Sequence, residues 1–120
     1  MEKEYEQWIK KADKDLNTAK SNINNGEIEA GAFFLQQSAE KALKSLLIKR
    51  TKALMKTHDL VILSKKVNAP EKITKYCERL TTLYQETRYP DVKSEEDIKE
   101  EINTLLLYAE EVLKWTKENL

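Results

Sequence analysis

The chain has 120 residues, and its 21 basic and 21 acidic side chains cancel to a formal net charge of zero. That length suits one domain, residues 1–120, with a real core. The single cysteine, Cys77, excludes an intrachain disulfide and fits a reducing cytoplasm. No apolar run approaches the roughly 20 residues that a bilayer span needs. The opening MEKEYEQW is not a signal peptide, so a cytoplasmic protein without membrane contact is expected.

With two Gly, two Pro and many Leu, Lys, Glu and Ala, the composition points to an all-α protein. Residues 4–24 read as a first helix. Tyr5, Trp8, Ile9, Ala12, Leu16, Ala19 and Ile23 make one apolar stripe at three- and four-residue steps. Asn24-Asn25-Gly26 ends it, because Asn and Gly tolerate the left-handed backbone of a helix end. A second helix runs from about 27 to 50, and residues 51–57 form a short connection. Thr57 is placed to cap a third helix over 58–67.

Asn68-Ala69-Pro70 is a break, with Pro70 opening a fourth helix that runs to about 85. Pro90 biases Tyr89 away from helical dihedrals and closes that segment. Ser94 caps a fifth helix, with Asp97 three residues on making an imperfect capping box. Its stripe is Ile98, Ile102, Leu105, Ala109, Val112 and Leu113. Short connections force antiparallel neighbours, so the fold expected is an up-and-down bundle of four to five helices.

The second helix is the unusual one. Its core stripe is Ile28, Ala32, Leu35, Ala39, Ala42, Leu43 and Leu46. The far side carries Phe33, Gln37, Glu40 and Lys44, with Phe34, Lys41 and Ile48 beside them. A solvated face gains nothing from two Phe. Either the first and fourth helices cover this side, or it meets another chain, with Phe33 and Phe34 as a dimer face. In both cases Glu40 is partly buried and needs a donor, Lys44 or Arg88.

Charge is also unevenly placed. Residues 41–66 hold eight Lys and Arg against Asp59 alone, while residues 94–120 hold eight acids against three Lys. The two segments either neutralise each other, within the fold or across a dimer, or the basic one meets phosphate.

These residues resemble the HEPN family of prokaryotes and higher eukaryotes. The family's early Trp and its Asp-Leu pair are matched by Trp8 and Asp15-Leu16. Its Gln-x-x-Glu-Lys-x-x-Lys is matched by Gln37, Glu40, Lys41 and Lys44, and its Thr-His-Asp-Leu by Thr57, His58, Asp59 and Leu60. A Tyr followed by Arg-Tyr-Pro is matched by Tyr84, Arg88, Tyr89 and Pro90. The resemblance implies an all-α bundle and a homodimer. It also implies a two-component, often toxin–antitoxin, module with a minimal nucleotidyltransferase, and binding of nucleotide.

Some members are metal-independent ribonucleases that use an Arg, four to six residues and then a His. Here seven residues separate Arg50 from His58, and Arg50 is the only Arg upstream of it. That pattern is absent, and the enzymatic alternative is a degenerate ribonuclease built on His58.

His58 is the one side chain with an ordinary pKa near neutrality, and so the ready general acid or base. It either docks a phosphodiester with Asp59 and the nearby cations, or pairs locally and locks the start of the third helix. Arg88, before a bend, can clamp a phosphate or carboxylate bidentately or pair with Glu40 or Asp59. Tyr84 and Tyr89 stack on a base or pack internally. One His, one Cys and no Glu-x-x-His motif cannot build the usual zinc or di-iron site, so no metal and no cofactor are expected. The expected ligand and interface set is Gln37, Glu40, Lys41, Lys44, Asp59, Arg88 and Tyr89, and the expected partners are a second copy, a minimal nucleotidyltransferase, and nucleotide or RNA.

Overall fold

The structure, a computed structural model, describes residues 2–89 and 94–120. The described residues form five α-helices: α1 (Glu4–Asn24), α2 (Ile28–Thr51), α3 (Leu60–Lys66), α4 (Glu71–Arg88) and α5 (Glu95–Asn119). They pack as the helical bundle that the composition and short connections predict. α2 is the axis and touches each of the other four helices.

Local chemistry explains the helix ends. α1 stops where Gly26 takes φ 77°, a left-handed conformation that costs glycine little. A Cβ there would meet nothing, so the backbone angle alone selects glycine. The next glycine, Gly31, serves a different purpose. A Cβ on it would come within 2.8 Å of Ile23 Cγ1, so its bareness lets α1 and α2 approach closely.

Lys52 caps α2 in a left-handed conformation, its amide donating to the Ile48 carbonyl. Ser94 caps α5 as expected, its Oγ accepting from the Asp97 amide at 3.2 Å.

Two expectations need correcting. α3 begins at Leu60 rather than 58, and its cap is Asp59, whose Oδ1 accepts from the amides of Val61 and Ile62 at 2.9 and 3.1 Å. A carboxylate within reach of two free amides outcompetes a hydroxyl two residues earlier. Thr57 instead accepts from the Asp59 amide, steadying the cap residue. α4 runs three residues past the expected end, to Arg88. Tyr89 then turns extended, at φ −125° and ψ 94°, as a residue preceding proline does. Pro90 itself lies outside the described residues.

The core draws on every helix. All seven stripe residues of α2 are buried, and so are Ala12, Leu16 and Ala19 of α1. Leu60 and Leu63 of α3, Ile73, Cys77, Leu80 and Leu83 of α4, and the six expected positions of α5 complete it. Tyr76 and Tyr108 stack at 4.2 Å between α4 and α5. No described helix is long and apolar enough to cross a membrane.

Candidate functional site

On the far side of α2, Glu40 and Lys44 stand one turn apart, and the Lys44 ammonium donates to Glu40 Oε2 at 3.0 Å. Both side chains are almost wholly buried, at 5% and 6% exposure. A buried carboxylate demands such a partner, and the i, i+4 order suits it. Trp8 of α1 sits across from the pair, its ring centroid 5.9 Å from Lys44 Nζ, which adds a cation–π contact to the same ammonium.

His58 completes the cluster from outside. Its Nδ1 lies 3.1 Å from each oxygen of Glu40, although 83% of its side chain is exposed. The backbone around it is fixed on both sides. Gln36 Nε2 donates to the His58 carbonyl at 3.4 Å, Asp59 caps α3, and Leu60 is fully buried. When the ring is neutral, an ionised Glu40, which can only accept, holds the proton on Nδ1 and leaves the Nε2 lone pair toward solvent.

The other expected site residues fall elsewhere. Lys41 donates to Asp15 Oδ2 of α1, so the Asp-Leu and Glu-Lys motifs meet as an ion pair. Gln37 is half-buried and makes no hydrogen bond within the cluster. Arg88 does not reach Glu40. Its guanidinium carbon lies 5.6 Å from the Tyr84 ring centroid, and Tyr84 in turn packs on Phe33 at 5.5 Å. Phe33 meets Phe34 edge-on at 5.1 Å. Arg88 and Tyr89 are exposed at the end of this aromatic row.

Sequence reading missed Gln36, whose link to His58 crosses 22 residues, and no local pattern announces such a contact.

The basic middle segment divides in two. Lys41 and Lys44 are consumed by α1 and α2. Lys49 donates to the Leu120 carbonyl, with the Tyr5 ring beneath its ammonium. Arg50 donates to the Val67 carbonyl at 2.5 Å, which ties the end of α2 to the end of α3. Lys52, Lys56, Lys65 and Lys66 are exposed and have no acidic partner among the described residues. The α5 acids whose partners are seen turn to other helices. Glu110 faces Lys20 at 3.4 Å and Glu101 faces Arg79 at 2.7 Å. Among the described residues, none of the ion pairs seen joins the acidic end to the basic middle, against the simplest reading of their opposite charge.

Cys77 is buried, and burial, reinforced by the charges of Asp59 and Glu78, pushes its thiol up to about 12. It is a packing residue. Among the described residues, no three His, Cys, Asp or Glu side chains group to hold a metal.

The described residues thus form a small all-α domain in which a buried Glu–Lys pair of α2 meets Trp8 on one side and His58 on the other. The HEPN domain profile matches residues 5–120, nearly the whole chain, and the chain belongs to the HEPN domain family. Two solved structures agree. The crystal structure of TT1696 from Thermus thermophilus aligns with a TM-score of 0.83 at 26% identity, covering 97% of this chain and 98% of that one. The crystal structure of ST0689, an archaeal HEPN homologue, aligns with a TM-score of 0.72 at 32% identity, covering 98% of each chain. Among curated proteins, no significant match to this chain is found.

Proposed function

We propose that residues 1–120 act as one dimeric HEPN domain, partnered with a minimal nucleotidyltransferase in a toxin–antitoxin-type module in the cytoplasm. In this reading the domain binds the phosphates of nucleotide or RNA at its basic end. One observation carries the reading. The family's motif side chains close on one another inside the fold, as Asp15 on Lys41 and Glu40 on Lys44 and His58. They build a scaffold, and within the basic segment the exposed cations without an acidic partner among the described residues include Lys52, Lys56, Lys65 and Lys66.

The Arg50–Val67 bond joins the end of α2 to the end of α3, so Lys52, just past the first, and Lys65 and Lys66, just before the second, fall at the same end of that helix pair. Lys65 and Lys66 also complement the negative end of α3, as Lys52 does at the end of α2, but Lys56 lies in the connection between them. Four cations with Asp59 as the sole neighbouring acid in that stretch of chain attract phosphate whatever the net charge. Exposed Leu54 and Ile62 in the same stretch give a protein partner apolar purchase. Phe33 and Phe34, both half-buried, keep some surface for a second copy.

The test is co-purification of the tagged chain with the nucleotidyltransferase encoded beside it, followed by light scattering. Stable co-elution, and a mass of twice 14.0 kDa for the chain alone, are expected. A monomer that ignores that partner would end the proposal.

A second reading rests on the Glu40–His58 contact: a degenerate ribonuclease with His58 as general base. Arg50 spends one N–H on the Val67 carbonyl, and its remaining N–H groups are open to a phosphate. RNA cleavage that disappears in His58→Ala with the fold retained would install this reading instead.

A further inference from the structure

The His58 ring is held as a nucleophile is held. A carboxylate on one nitrogen fixes the tautomer and the ring's direction, and the other nitrogen presents its lone pair outward. Three features distinguish this histidine from an incidental surface ring. Its carboxylate partner is buried and bonded symmetrically, both oxygens lying 3.1 Å from Nδ1. Its own carbonyl is tethered by Gln36, and the next two residues are locked into the start of α3. Its outer edge is nonetheless open, with 83% of the side chain exposed.

The local charge fits an anionic reagent. Lys44 offsets the Glu40 charge without removing it, and Asp59 Oδ1 accepts from two amides of α3. Lys52 and Lys56 precede His58 with no acid between them. A metal ion would require further ligands, and no other His, Cys, Asp or Glu joins the pair as a third ligand among the described residues. A phosphoryl group requires only one nitrogen.

We infer that His58 Nε2 is a phosphoryl-acceptor site, charged by a small acyl-phosphate or phosphoramidate donor. The lone pair of Nε2 attacks phosphorus and forms the N–P bond. The bond from phosphorus to the leaving group breaks, and its electron pair departs with the carboxylate or the amine. The ring becomes an N-phosphorylated imidazolium with no proton lost. Its Nδ1–H stays on Glu40, whose negative charge stabilises the cation as it develops.

The test treats the full chain with acetyl phosphate or potassium phosphoramidate and follows intact mass and phosphorus NMR. One acid-labile phosphoryl group on Nε2 of His58 is expected, formed faster in the folded chain than in the urea-unfolded chain. His58→Gln abolishes it. Glu40→Gln, with its fold checked by circular dichroism, slows it by about tenfold, the loss expected when a charge-assisted hydrogen bond becomes neutral. A site with no label, a label on Nδ1, or a rate indifferent to unfolding or to Glu40→Gln would each overturn the inference. None of these results bears on dimerisation or on the nucleotidyltransferase partner.

Discussion

The Phe33 ring of α2 rests on the Tyr84 ring of α4 at 5.5 Å with 56° between their planes, so α4 of the same chain partly covers the side of α2 opposite its apolar stripe. Tyr84 also carries the Arg88 guanidinium against its ring. The aromatic surface that distinguishes α2 therefore has an internal use, whatever part of it also meets a second copy.

Phe33→Ala is expected to cost about 2 kcal/mol in a urea or thermal melt, below the range for fully buried Phe because this ring is half-exposed. Phe33→Leu should recover much of that. If the alanine variant melts like the parent but elutes as a monomer, the ring serves the dimer and not the fold.

Lys44→Met should be worse. It leaves Glu40 buried with His58 as its remaining partner, and removal of one member of a buried pair costs about 3–5 kcal/mol. Adding Glu40→Gln to Lys44→Met should restore most of the loss, since the orphaned charge goes with it. Equilibrium denaturation of the two variants decides this, and an equally unstable double variant would show that the Lys44 stem matters more than its charge.

Cys77 gives a pH signature. Its thiol is raised from 9.0 to about 12 in the folded chain, mainly by burial. The folded state then holds a proton that the unfolded state releases, so stability is level below about pH 9 and falls as pH climbs toward 12. Cys77→Ser or Cys77→Ala should flatten that decline relative to the parent. Alkylation by iodoacetamide at about pH 8 should be negligible until the chain unfolds.

Binding of a short single-stranded RNA at the basic end should weaken steeply with salt because bound phosphates release counterions. Lys52→Glu with Lys65→Glu should weaken it at about 50 mM salt, where surface charge is only partly screened. Lys117→Ala should leave it unchanged, since Lys117 is paired with Asp13 at 2.6 Å. Lys44, although it belongs to the basic segment in sequence, is buried and does not probe this surface. An affinity equal in both charge-reversed and parent chains would remove the basic end from consideration.

Much of this bundle was legible in the sequence because its signals are local. The bounds of α1, the Gly26 stop, the Ser94 cap and the core stripes of α2 and α5 all follow from spacing and turn chemistry over a few residues. The α3 cap sits two positions beyond Thr57 because Thr57 and Asp59 are both competent caps, and only the path of the chain chooses between them. The Glu40–Lys44 bond was legible for the same local reason, as an i, i+4 pair. The His58–Glu40 contact was not, because it joins residues 18 apart through a connection whose course nothing in its composition dictates. The buried state of Lys44 was equally hidden, since it depends on Trp8 arriving from another helix.

The three-residue link between α1 and α2, and the close approach at Gly31, carry a kinetic consequence. The longest shared surface in the molecule lies between neighbours in sequence, so little chain entropy opposes its closure. The α1–α2 hairpin should form first and offer the later helices a prepared template, with α5 docking last because its ion pair from Lys117 to Asp13 spans 104 residues. Pulse-labelled hydrogen exchange during refolding would read the order directly, and α5 amides protected ahead of those in α1 and α2 would reverse it. A chain emerging N-terminus first would then have its organising pair of helices assembled before the acidic helix had been made.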